Sequence, residues 1–261
     1  MEFLSFGKTN RKEKEHMLKV LLLGININRK GNSTFISLQL RTKTMERMIP
    51  ISILSKIDKY DIKIADKYPV RVDVLDSAEL ISSRTVNDLI PKLQKESPVV
   101  ALDSHWMEWP PTNSLLVLCI DGYCLVVQLK HVDEIPDNLR RFLADEKICF
   151  VGVDVDRKLF RGMPSTLSPL VCKTAVELSL LAARIRKKPS LLNGDIEALA
   201  AEVGISYEAV ASGSRRDPRV NYEAKVFSRD EVKALVLDAF FCYHIGRRLV
   251  EELLRDSSAP S

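Results

Sequence analysis

Long apolar runs are missing from this 261-residue chain: no stretch of about 18 apolar residues occurs, so no membrane-spanning helix and no membrane partner are expected. Paired-cysteine signatures are missing as well. The 5 cysteines are odd in number and form no CxxC, and most sit in apolar phrases such as LLVLCI and KICFVGV. Buried reduced thiols, and with them a cytoplasmic or nuclear setting, are expected. The early stretch MLKVLLLGI is short, contains Lys19 and precedes no small-residue cleavage site, so no secretory leader is expected. There is no internal repeat and no low-complexity tract. Acidic residues are scarce at one end only. Residues 1–60 carry 12 Lys and Arg against 5 Asp and Glu, a surplus of seven, and the remainder carries 27 against 30, a deficit of three. The net charge of +4 therefore belongs to the first quarter, and a slightly acidic body argues against a broad nucleic-acid-binding face on it.

What is present reads as a globular protein: 46% apolar and 28% charged residues allow a sizeable core. Residues 1–16 are polar and charged and read as an arm. LKVLLLGI and TFISLQL, on either side of the turn-like RKGNS, read as short strands, with a helical stretch possible around Arg41 to Met48. From Tyr60 the pattern sharpens. YDIKIAD and VRVDVLD alternate apolar and polar residues, as strands with one covered face do, and the short KYP joins them. Val86, Leu89, Ile90 and Leu93 make one helical stripe, bent or frayed by Pro91. PVVALD, SLLVLCI, YCLVVQL and ICFVGVDV are buried-strand phrases. Asp121-Gly122 between two of them is a strong hairpin signal. A helix is expected over IPDNLRRFLAD with Pro136 in its first turn, a last strand in VCKTAVEL, and helices near 177–187 and 195–204. The final helix opens on a capping box, Ser228 and Glu231, and the tail 256–261 reads as disordered. The sum is an α/β fold: a mixed sheet of about five strands flanked by helices, spanning 60–255, behind a basic extension 1–59 that is β-rich or extended.

Two carboxylates stand out. Asp103 ends the strand VVALD, and alternation places His105 on the same face. An Asp at the mouth of a central strand is where α/β proteins keep their sites, and it is equally a common turn residue. Asp238 sits in ALVLDAFFCYH with Ala234, Leu235, Phe241 and Cys242 one turn away, so it is expected to be desolvated and to need a partner or a metal. It lies well inside its helix, which excludes a capping role.

PVVALDSHW, YCLVVQLKHVDEIPDNLRRFLADEKICFVGVDVD, CKTAVELSLLAA and FSRDEVKALVLDAFFCYHIGRRL, in that order and spacing, resemble the 3′–5′ exonuclease domain of the Werner-syndrome-helicase type. That domain belongs to the DEDD nuclease group of the ribonuclease H-like fold, and the chain resembles the small plant proteins made of this domain alone. The resemblance covers about three quarters of the chain, from Tyr60 to Leu254, and not residues 1–59. It implies a three-layer fold, single-stranded RNA or DNA as partner, and four carboxylates holding two Mg or Mn ions about 4 Å apart. In this sequence Asp103 matches the first Asp, but the Glu position holds His105. Asp238 matches the last Asp, but the Tyr position holds Ala234, and Lys233 stands where a related subgroup has His. The second motif falls on Lys158, with Asp154 and Asp156 close by.

Imidazole is a poor ligand for hard Mg, a Lys adds positive charge, and Ala cannot orient water. Each loss would cost about 100-fold or more. The resemblance therefore implies a degenerate, nucleic-acid-binding nuclease domain. Two alternatives stay open. One is an active exonuclease rebuilt around Asp103, His105, Asp156 and Asp238 with Mn or Zn. The other is a non-catalytic partner that assembles with itself or with active relatives through its basic segment. Trp106 and Trp109 read as packed rim aromatics first and candidates for base stacking second. RIRKK (184–188), SRRDPR (214–219) and Arg247-Arg248 read as solvated basic faces first and phosphate tracks second.

Overall fold

The computed structural model describes residues 25–30, 33–38, 50–95, 98–108, 111–155, 172–207 and 220–258. The chain divides into two units, 1–50 and 51–261. In the first, β1 (Ile25–Lys30) and β2 (Ser33–Leu38) pair antiparallel, Ile25 opposite Leu38. The first strand is thus ININRK, which shares only Ile25 with the expected LKVLLLGI; the rest of that phrase and the helical stretch at 41–48 lie outside the described residues.

The second unit holds a seven-stranded mixed sheet, two strands more than expected. Its strands are β3 (Lys59–Ile64), β4 (Tyr68–Leu75), β5 (Val99–Glu108), β6 (Pro111–Ile120), β7 (Tyr123–Gln128), β8 (Cys149–Gly152) and β9 (Ala175–Glu177). They lie in the order β3-β4-β7-β6-β5-β8-β9. Pairs β4/β7, β5/β8 and β8/β9 are parallel and the rest antiparallel. All six residues of β7 are buried, as a central strand covered on both faces requires. Asp121 and Gly122 take the positive φ values, 37° and 66°, that a two-residue hairpin turn needs.

That hairpin sets Cys119 directly opposite Cys124, and the two form a disulfide. The expectation of five reduced thiols is corrected: Cys149, Cys172 and Cys242 remain as thiols outside the disulfide, and Cys149 is only half-buried. The reason is register, since a two-residue turn makes positions 119 and 124 cross-strand neighbours. Two of the thiols behind the cytoplasmic or nuclear expectation are thereby removed.

One face of the sheet carries α2 (Ala78–Arg84), a π turn (Thr85–Leu89), α3 (Ile90–Lys95) and α4 (Asp137–Leu143), after the short α1 (Ile51–Ile57). The π turn answers Pro91. Ile90 donates to Thr85 five residues back, so the helix changes pitch just before the residue that has no N–H to give. Pro136 is the N-cap residue of α4, one position before its first turn. Period-2 alternation in β4 predicted one covered face; both are covered. Asp73 is 0% exposed, with Arg84 Nε at 2.7 Å, Arg71 Nη2 at 3.3 Å and the Tyr123 hydroxyl donating at 3.1 Å. Asp88 adds a second carboxylate to both arginines. Mutual pairing is what lets these charges lie under a helix layer.

The other face carries α5 (Leu178–Arg186), a 3-10 turn (Pro189–Asn193), α6 (Ile196–Glu202) and the long α7 (Arg229–Ser258). Among the described residues of VCKTAVEL, Ala175–Glu177 form the strand. The capping box forms: Ser228 N–H donates to Glu231 Oε2 at 2.7 Å and Glu231 N–H to Ser228 Oγ at 3.3 Å. Helix α7 crosses the sheet closely enough that a Cβ on Gly246 would stand 2.8 Å from Val151 Cγ2 of β8. Sheet and two helix layers together make the expected ribonuclease H-like three-layer architecture. Among the described residues no helix is long and apolar enough to cross a membrane.

Candidate functional site

Strand β5 does not end at Asp103; it runs on to Glu108, with a register shift between His105 and Trp106. Asp103 is 3% exposed, because helix α7 packs over this face of the strand. Its Oδ1 accepts the Ser104 backbone N–H at 2.8 Å. His105, two residues on and on the same face, has Nε2 2.8 Å from the Leu235 carbonyl of α7 and 3.9 Å from Asp103 Oδ2. A carbonyl oxygen only accepts, so Nε2 carries the proton and donates it to Leu235. The Asp103 carboxylate lies beyond hydrogen-bond reach of that nitrogen.

The outer side of His105 is covered by Tyr222, stacked with ring centroids 5.0 Å apart and planes 13° from parallel. Tyr222 lies on a segment strapped down ahead of α7. Gln128 Nε2 donates to the Ala224 carbonyl at 2.7 Å, His131 Nε2 lies 3.0 Å from the Glu223 carbonyl, Lys130 pairs with Glu223, and the Tyr60 hydroxyl donates to the Phe227 carbonyl at 3.0 Å. Sequence reasoning missed this strap. Its only sequence signal is Tyr222 itself, an aromatic just ahead of a capping box.

Asp238 follows Leu235 by one helical turn and is half-buried, less desolvated than its apolar neighbours implied. The surrounding apolar residues serve the sheet side of α7, whereas Asp238 sits at the border of that stripe. Ala234 is half-buried beside it, and Lys233 turns its ammonium to within 3.9 Å of Asp66 at the β3–β4 turn. Asp154 has a positive φ of 57°, and the next residue's backbone N–H donates to Glu177 Oε2 at 3.1 Å. Asp156, Lys158, Trp109 and the cluster SRRDPR lie outside the described residues, as does the side chain of Trp106. Of the other basic clusters, Arg186 pairs with Glu252 and Glu202, Lys188 with Glu202, and Arg247 with Glu251.

A two-metal site needs oxygen donors with open lone pairs. Here Nε2 of His105 is a donor already engaged. Among the described residues no group of three or more His, Cys, Asp or Glu is placed to hold a metal ion. The described donor set does not fit a pair of Mg or Mn ions.

No protein-family model matches the sequence, and no curated protein does. Solved structures do. Escherichia coli RNase D, an exoribonuclease involved in structured RNA processing, is 15% identical with a TM-score of 0.51, over 72% of this chain and 47% of its own. This chain thus spans under half of RNase D. The EXD2 exonuclease domain soaked in Mn and Mg is 21% identical with a TM-score of 0.40, over 72% of this chain and 96% of its own. The same domain soaked in Mn and GMP is 22% identical, with a TM-score of 0.39. The likeness to RNase D shows the fold.

Proposed function

We propose that this chain is a catalytically silent 3′–5′ exonuclease-like protein that binds single-stranded nucleic acid without cutting it. The observation that carries the reading is the Nε2 hydrogen bond from His105 to the Leu235 carbonyl, 2.8 Å long, at the position where the resemblance places a metal-binding Glu. That bond converts a ligand position into a tie between β5 and α7. The Tyr222 stack then closes the imidazole's outer face. The exonuclease fold supports nucleic acid as the partner class, and the surplus of seven positive charges in residues 1–60 supports the first quarter as its point of attachment. Attraction of that kind needs no metal.

The test uses the full chain with 5′-labelled single-stranded RNA and DNA, in Mg and then in Mn. The expected result is retention on a gel, weakening steeply as salt rises, and no shortened products in either metal. A ladder of products that disappears in both Asp103→Ala and Asp238→Ala would overturn the proposal.

A further inference from the structure

A cavity of about 340 Å³ opens beside α7 at the end of the sheet away from Asp103. Asp103 is level with Val117, Val126 and Val74 across β6, β7 and β4, whereas Tyr68, which lines the cavity, is six residues earlier in β4. At the rise of a strand this is roughly 20 Å. The volume lies at the small end of the range for small-molecule sites, where about 300 Å³ is the lower bound.

Its walls combine rings and charge. His244 packs edge-on against Phe240, with centroids 4.4 Å apart, and Tyr68 stands 5.7 Å from Phe240 and 6.4 Å from His244. Burial and the nearby Arg247 and Arg248 push the His244 pKa down to about 4, so the ring is neutral, with one donor and one acceptor nitrogen. Among the described residues neither nitrogen has a hydrogen-bond partner. At the rim Arg247 is spoken for by Glu251 at 2.7 Å and Asp121 at 3.9 Å. Arg248 is not: Nη1 donates to the Val203 carbonyl at 3.1 Å, and among the described residues no carboxylate pairs with it.

We propose that this cavity is a nucleotide-binding site, taking a base against Tyr68, Phe240 and His244 and a phosphate at Arg248. A neutral imidazole with both nitrogens open suits the mixed donor and acceptor edge of a heteroaromatic ring. An uncompensated guanidinium fork suits a phosphate. The shared chemistry is a base carrying a phosphate, supplied either as a free mononucleotide or as the end of a strand.

Calorimetric titration of the full chain with AMP, adenosine and a 5′-phosphorylated single-stranded oligonucleotide tests it. AMP is expected to bind about tenfold more tightly than adenosine, the value of one charge-assisted contact. Arg248→Ala, an exposed position, is expected to bring AMP down to the adenosine level and leave adenosine unchanged. His244→Ala is expected to weaken both. An oligonucleotide that displaces AMP identifies a strand end as the source; one that binds without displacing it assigns the site to the free nucleotide. Failure of AMP to bind at millimolar concentration, or equal AMP affinity in Arg248→Ala and the unaltered chain, overturns the proposal. This outcome is independent of the gel assay above, which reads strand retention and cleavage and not AMP.

Discussion

Asp58 shows how one side chain is tuned by its surroundings. It sits half-buried at the start of β3, where desolvation, followed by the nearby Asp76 and Asp73, raises its pKa to about 6. A carboxyl whose folded pKa lies above its unfolded value of 3.8 adds stability below that value and loses it as pH rises through about 6. At pH 7 the ionised group therefore costs stability. Asp58→Asn is expected to stabilise the protein by about 1–2 kcal/mol at pH 7 and by close to nothing near pH 4. Urea unfolding at the two pH values measures this; an equal gain at both, or a loss at pH 7, contradicts the assignment. Residues were also where the sequence was most legible for the site. Asp103, His105, Ala234 and Asp238 were all marked by it. The tie from His105 to a backbone carbonyl was not, because a carbonyl 130 positions away leaves no mark in residue identity.

At the scale of elements, α7 organises one whole face. Its apolar spacing and capping box were readable from local rules, and so was the Asp-Gly hairpin. The path of the helix over β8 was not. Gly246 lies in the helix interior, where Ala is ordinarily favoured by about 1 kcal/mol. Here a Cβ would meet the stiff, β-branched Val151 at 2.8 Å. Gly246→Ala is expected to destabilise the protein by about 1–2 kcal/mol in chemical unfolding, the overpacking cost exceeding the propensity gain. A variant more stable than the parent would show that the helix rides higher on the sheet. The π turn ahead of Pro91 belongs to the same scale. Sequence foretold a disturbance there, and the packing of Leu89, fully buried, chose its form.

For the molecule as a whole, the β6–β7 disulfide is the feature that most changes the chemical character inferred at the outset. Unfolded in denaturant without reductant, the chain is expected to react with a thiol reagent at three cysteines, and at five after reduction. Five before reduction would mean that Cys119 and Cys124 face each other as thiols. Charge is also a whole-chain property. The basic first quarter and the slightly acidic remainder were countable from the sequence, and with the division into units at 50/51 most of that excess falls in the first unit.

By itself the sequence determined the α/β class and the order of strands and helices. Those depend on local periodicity, caps and turns, which act between residues a few positions apart. Tertiary structure alone decided that Asp73 would be buried among two arginines, that Tyr222 would lid His105, that Cys119 would meet Cys124, and that Tyr68 would join His244 around a cavity. Each of these joins residues through strand register or helix packing. Register and packing are set by the summed burial of the whole core and not by the identity of the residues they bring together.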